Sequence, residues 1–260
     1  MIHAILQARM SSTRLPGKAL LPLAGAPALL RQTERIRQAQ MIDSLTVATS
    51  TDPSDDTLEA LCRANGVTCY RGSLTDVLDR FYRAARAQPA DHIARFTGDC
   101  PLIDPDVVDA TARFYLKGGL DYASNNLEPT FPDGLDVEFC KIAALEAAWK
   151  EAALPSEREH VTPFLYHHRE RFNVGCYKNA TDLSALRWTL DEKADYDVIK
   201  AIFEALYPQQ PHFRMTDVLA FLDRYPEYKT MNHHHQRNEG YQRSLQADRA
   251  FLEKKGPANV

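Results

Sequence analysis

The first 115 residues alternate strand and helix, and that rhythm narrows the possible folds more than any other feature of the chain. Residues 2–8 form a short apolar run suited to a strand, followed by a Ser/Arg/Gly loop. A helix then opens at Pro27 and carries Leu29, Leu30, Thr33, Ile36 and Arg37 at helical spacing. Residues 44–50 are a second β run; Asp52-Pro53 with Asp55 and Asp56 supplies the cap, first-turn proline and first-turn acids of a helix reaching about Ala64. Residues 67–71 and 92–97 read as further strands, each followed by a helix, at 76–87 and from Asp104-Pro105 through Tyr115. Such alternation implies right-handed β-α-β units, hence an α/β protein with a mainly parallel sheet in a three-layer sandwich.

Past residue 118 the rhythm loosens. Residues 121–125 and 134–139 look like antiparallel strands within an insertion of about 120–180, with helices over 143–152 and 159–168. Residues 186–190 return to strand with Asp191 at the carboxyl end, and helices at 196–207 and 216–224 follow. One domain over 1–225 is therefore expected, with a polar arm over 226–260 that packs on a partner or frays.

Composition narrows the function. With 44% hydrophobic and 25% charged residues, the chain is an ordinary globular protein. The longest nearly apolar run, 19–30, holds two prolines and is too short to span a bilayer, and the first residues lack the features of a signal peptide. A cytoplasmic protein without membrane partners is expected. Five widely spaced cysteines with no C-x-x-C argue against both a disulfide framework and structural zinc. The net charge of −4 gives no basic field for nucleic acid, but residues 1–40 carry Arg9, Arg14, Lys18, Arg31, Arg35 and Arg37 against Glu34 alone. A local cationic pocket on an acidic body suits a small polyanion.

Three constellations carry chemistry. The loop Arg9-Met-Ser11-Ser-Thr-Arg14-Leu-Pro-Gly-Lys18 follows the first strand, where ligands bind in open parallel sheets, and can aim hydroxyls, N–H groups and three cations at phosphates. It is not a Walker A loop, because Ser12 stands in place of Gly and Ala19 replaces the magnesium-holding hydroxyl; a solvated basic loop is the alternative. Thr97-Gly98-Asp99-Cys100-Pro101 ends a strand in a carboxylate placed to hold Mg²⁺, or a turn aspartate capping the next element. Asp191 repeats the pattern at the end of a distant strand, whereas Asp195 and Asp197 are more simply first-turn acids. Together, cations, an acid pair and a parallel sheet converge on nucleoside triphosphate chemistry.

The segment from Ala8 to Lys18 closely resembles the opening motif of the sugar-acid cytidylyltransferases, the family of 3-deoxy-manno-octulosonate and acylneuraminate cytidylyltransferases, and most of all its spore-coat polysaccharide branch. The resemblance runs over roughly residues 2–207, taking in Val47-Ala-Thr-Ser50, Gly98-Asp99, Asp133-Gly-Leu-Asp-Val-Glu138 and Trp188-Thr-Leu-Asp191. It implies a Rossmann-like, GT-A-like nucleotidyltransferase fold, a homodimer, CTP and Mg²⁺, and transfer of CMP to an acidic sugar with release of pyrophosphate. By matching position, Arg9, Arg14 and Lys18 would bind triphosphate, Asp99 and Asp191 would hold magnesium, and Ala8, Thr49 and Arg71 would lie near the nucleoside. Thr97 stands where the octulosonate enzymes have glutamine.

The acceptor pocket is harder to read. Asp136 and Glu138 alternate outward on a strand, where they would bind sugar hydroxyls or simply be solvated, and the Glu159-His160 pair would reach substrate or merely start a helix. Cys100 reads as a buried thiol, Trp149 and Trp188 as core, and His233-His234-His235 as part of the polar tail. Two other functions fit the same pattern less well. A GT-A-class glycosyltransferase usually shows a D-x-D pair where this chain has Asp99 alone, and a nucleotide-binding regulatory subunit would not need intact Arg9, Lys18, Asp99 and Asp191.

Overall fold

Ile2 to Leu6 are buried to the last residue, so the first strand lies inside the sheet with both faces covered, the environment that favours continuous apolar runs. The computed structural model describes residues 1–235 and 237–255. Strands β1 (Ile2–Gln7), β4 (Ser44–Ser50), β5 (Thr68–Gly72), β6 (His92–Thr97), β7 (Tyr122–Ser124), β8 (Glu138–Lys141) and β9 (Val174–Cys176) form one seven-stranded sheet. Its order is β5-β4-β1-β6-β8-β7-β9. β8 pairs antiparallel with both neighbours, and every other pairing in the sheet is parallel. A separate two-stranded hairpin joins β2 (Pro22–Leu23) to β3 (Ala26–Pro27).

Helices cover both faces. Ala4 and Leu6 pack with Leu29 and Ile36 of α1 (Ala28–Ile36), Leu58 and Cys62 of α2 (Asp56–Ala64), and Val108 and Tyr115 of α4 (Pro105–Lys117). Ile5 and Ile93 face Val77, Leu78 and Phe81 of α3 (Val77–Arg86) and Leu145 of α5 (Ile142–Glu151). A third cluster, centred on Trp188, Phe203 and Phe213, holds α8 (Lys193–Leu206) and α9 (Met215–Arg224) against the hairpin. The cap expected at Asp52 is formed, and Asp76 and Asp104 act in the same way: each accepts a backbone N–H at the start of the following helical segment. Trp149 is only half-buried, stacked on Tyr82 at 4.5 Å between ring centroids.

The antiparallel strands expected within 120–180 are β7 and β8, which continue the central sheet beyond β6. Three expectations need correcting. The helix expected over 159–168 is two short ones, α6 (Pro155–His160) and α7 (Pro163–His167), because Val161 turns to φ 73 and Pro163 has no N–H with which to continue a helix. The stretch 186–190 is extended but forms no strand, making one parallel bridge between Arg187 and Asp133. Finally, the polar tail returns to the body. After α10 (Glu227–Thr230), α11 (Glu239–Lys255) lies on α6, where Asp248 accepts from the Ser156 backbone N–H (2.8 Å) and hydroxyl (2.6 Å). The residues of the expected arm beyond 255, and Gln236, lie outside the described residues.

Candidate active site

Beyond β1 the chain crosses to β4 on one side and later returns to β6 on the other, so the carboxyl ends of β1 and β6 flank a topological switch point, the place where open α/β sheets bind ligands. A cleft of about 530 Å³ opens there. Its floor depends on Gly98: the Gly98 N–H donates to the Gln7 carbonyl at 2.8 Å, and a Cβ on residue 98 would meet the Ala8 Cβ and the Gln7 carbonyl at 2.9 Å. Only glycine lets the two strand ends approach so closely.

Three distant segments meet in this cleft. The Lys18 Nζ lies 3.1 Å from an Asp99 carboxylate oxygen and 2.7 Å from one of Asp191, and Arg14 reaches the other Asp191 oxygen at 2.7 Å. Arg14 also approaches Glu192 (3.7 Å) and Glu239 at the start of α11 (3.4 Å). Asp99 and Asp191 are brought together by the extended 186–191 stretch. The Leu190 N–H and the Thr189 hydroxyl donate to the Asp99 carbonyl, at 2.7 and 3.2 Å, and the Trp188 N–H donates to the Asp133 carbonyl at 2.6 Å. Gly134 permits that lacing: at φ 109, a Cβ would fall 2.5 Å from the Trp188 backbone.

Electrostatics follow from this packing. Burial works against the charge of Asp99, but Lys18 and the hydrogen bonds from Thr97, Lys18 and Cys100 outweigh it and hold the carboxyl at about 2. Burial likewise opposes the Lys18 ammonium, yet the two aspartates raise its pKa. Burial pushes the Cys100 thiol far up, as suits an inert buried thiol. Among the described residues, no three His, Cys, Asp or Glu side chains gather as a ready metal-ligand set. Asp99 and Asp191 do offer two hard oxygen donors to one cationic atom, a donor pair of the chemistry that Mg²⁺ takes.

Of the other expected nucleotide contacts, Ala8, Arg9 and Thr97 line the cleft. Ser11 is exposed outside its lining, and Ser12 and Thr13 stand there in its place. Thr49 and Arg71 are not brought to it either. Thr49 is wholly buried within β4, and Arg71 is spent on the Ser50 and Asp52 carbonyls (2.8 and 2.9 Å) and the acids Asp56 and Glu59 (2.6 and 2.9 Å).

Next to the cleft is a second cavity of about 210 Å³ that shares Asp99, Asp191, Arg95 and His160 with it. Asp136 and Glu138 line it, but neither is a solvated outward acid. Glu138 is buried in an ion pair with Arg95 and accepts from the hydroxyls of Tyr122 (2.6 Å) and Thr162 (2.5 Å). Asp136 precedes β8 and pairs with Arg237 at 2.5 Å. β8 lies between two strands, so Glu138 is enclosed and matched. Burial and Asp136 raise the carboxyl of Asp133 to about 7, although Arg237 and Arg187 favour its charge. His160 meets the Ser244 hydroxyl at 2.9 Å, and burial, with Arg95 next, brings it down to about 4, so its ring is neutral at physiological pH.

Three cavity residues, Arg80, Arg95 and Arg187, belong to no motif in the sequence. Arg95 interrupts an otherwise apolar strand, Arg80 shares a helix face with Val77, and Arg187 sits among Leu186 and Trp188. A charge on a buried face was the available signal. Arg243, on α11, carried none.

Residues 3–210 match the model of a family described as Cytidylyltransferase. The spore coat polysaccharide biosynthesis protein SpsF of Bacillus subtilis is 34% identical over 238 residues, 87% of this chain and 95% of that protein. A 3-deoxy-manno-octulosonate cytidylyltransferase from an Anaeromyxobacter species is 33% identical over 133 residues, 49% of this chain and 52% of its own. Among solved structures, a cytidylyltransferase from Leptospira borgpetersenii superposes with a TM-score of 0.84 at 32% identity, covering 91% of this chain and 99% of that one.

Proposed function

This chain belongs to the cytidylyltransferase family, and from that premise we propose that it transfers CMP from CTP to a hydroxyl of an acidic sugar, releasing pyrophosphate, in the building of a surface polysaccharide. The observation that carries this reading is the meeting of Lys18, Asp99 and Asp191 at one point beyond the switch in the sheet. In such a transfer the sugar hydroxyl attacks the α-phosphorus in line with departing pyrophosphate, and the protein contributes mainly position and charge. Arg9, Arg14 and Lys18 bind the triphosphate, and Lys18 and Arg14 offset charge growing on the leaving group. Ala8 and Thr97 bound the nucleoside end.

Mg²⁺ held by Asp99 and Asp191 would polarise phosphate oxygens. Lys18 and Arg14, which pair with those acids here, would then be free to turn toward phosphate. Asp136, Glu138 and His160 line the acceptor cavity, where carboxylates fixed by arginines present acceptors to sugar hydroxyls without a large unbalanced charge. A homodimer in the cytoplasm, where CTP is made, completes the reading.

The experiment is pyrophosphate release from CTP and Mg²⁺ across a panel of octulosonic, nonulosonic and other sugar acids. Release that requires one of these acceptors supports the reading. CTP left intact with every acceptor would refute it.

A further inference from the structure

The cleft contains cations that the Lys18 centre does not use. Arg9 on the loop after β1, Arg80 on α3 and Arg243 on α11 all line it. None has a carboxylate within ion-pair distance among the described residues, unlike Arg14 and Lys18 in the same cleft. Arg80 is only 2% exposed; it gives one hydrogen bond, from Nη1 to the Ser73 carbonyl at 2.6 Å, and its Nε has no partner. Burial, and then the nearby Arg9 charge, lower the Arg80 pKa. Like charges gathered in a partly desolvated cleft are costly unless an anion completes the arrangement.

The position of Arg243 is built. Gly240, Arg243, Ser244 and Ala247 form one stripe of α11 at helical spacing, and that stripe faces the cleft. The helix is seated by Asp248 on Ser156 and by Ser244 on His160 and Glu159, the latter at 2.6 Å. All of α11 lies beyond residues 3–210, the part matched by the family model. One wall of the cleft therefore comes from beyond the residues that the family model matches.

We infer that Arg243 of α11 and Arg80 join Arg9, already placed on the triphosphate, in a clamp for the terminal phosphates of the nucleoside triphosphate. The clamp rests on the proposed function for the identity of the triphosphate, but not for its own chemistry, because it reads phosphates and not the base. Arg14 and Lys18 serve the end nearest Asp99 and Asp191, and the three arginines serve the far end.

The test is isothermal titration of the full chain with CTP, inorganic tripolyphosphate and CMP, comparing wild type with Arg243→Gln. Arg243 is exposed on its helix, so the variant leaves the core intact, and a thermal melt checks this. CTP and tripolyphosphate should each bind about tenfold or more weakly, the scale of losing one charge-assisted hydrogen bond, while CMP binding is unchanged. Arg243→Lys should recover part of the loss. Unchanged CTP affinity in Arg243→Gln, or an equal loss for CMP and CTP, overturns the clamp. If tripolyphosphate binding depends on Arg243 but no sugar acid yields pyrophosphate from CTP, the transferase reading fails and the clamp stands.

Discussion

The cleft and the cavity beside it handle charge in opposite ways. The wall made by the loop after β1, by α3 and by α11 carries Arg9, Arg80 and Arg243 without carboxylate partners among the described residues. The second wall, that of the neighbouring cavity between β6, β8 and the 186–191 stretch, carries acids matched almost one for one, with Asp195 buried behind it. Glu138 is matched by Arg95, Asp136 by Arg237, and Asp195 by Arg187 and Asn232. One side is left open for an anion to complete. The other is completed internally and offers fixed acceptors, the arrangement suited to hydroxyls. Asp99 and Asp191 lie at the seam, held by cations from the first wall and by backbone from the second.

If the second wall is self-matched, breaking a pair should cost folding more than binding. Glu138→Ala leaves Arg95 buried and unpaired, and a loss of about 3–5 kcal/mol is expected by denaturant titration. A loss below ~1 kcal/mol would mean that solvent already reaches the pair. The seam should instead govern turnover. Lys18→Ala or Asp99→Ala should lower kcat on the order of 10²-fold or more, about 3 kcal/mol, measured at a temperature where the variant is still folded. Full turnover at saturating CTP and Mg²⁺ would remove those residues from the chemistry.

Next in size is the attachment of the first wall. Asp248→Ala deletes the two hydrogen bonds that pin α11 to the start of α6 and should cost about 1–2 kcal/mol, read by thermal melting, with faster amide exchange in α11 than in α4. Equal exchange in both helices would show that α11 is held by other contacts.

The smallest effect concerns pH. The folded Asp133 carboxyl stands at about 7, above its unfolded value of 3.8, so the native state binds more protons than the unfolded one between these limits. Its contribution to stability is therefore favourable only at low pH and turns against folding as pH rises from about 4 to about 7. Asp133→Asn should flatten that slope between pH 5 and 8 in a series of melts. An unchanged slope would assign it to other groups.

The contrast between the walls also explains what could be read from the sequence. β1, β4, β5 and β6 follow one another with a helix between each pair, so local periodicity, the Asp52 cap and the Asp104-Pro105 helix opening located them to within a residue or two. The loop from Arg9 to Lys18 was legible because cations, hydroxyls and glycine crowd a strand end. β8 was misplaced because its partners are chosen by tertiary pairing, Ile93 opposite Cys140 and Ala123 opposite Phe139, which no local pattern encodes. Glu138 looked solvated for the same reason, since alternation does not reveal that both neighbouring positions in the sheet are occupied. Arg71 illustrates the converse error: a position matched by resemblance was already saturated by Ser50, Asp52, Asp56 and Glu59. α11 was read as an arm because its contacts to α6 are polar, through Ser156, Glu159 and His160, and leave little apolar signal.

Phosphorus NMR of the wild-type chain with CTP, Mg²⁺ and the sugar acids in turn observes the bond that the cleft is said to break. The account predicts that, for at least one acid, the triphosphate signals give way to pyrophosphate and a sugar phosphodiester in equal amounts. Persistence of CTP with every acid, or its conversion to CDP and orthophosphate, would contradict it.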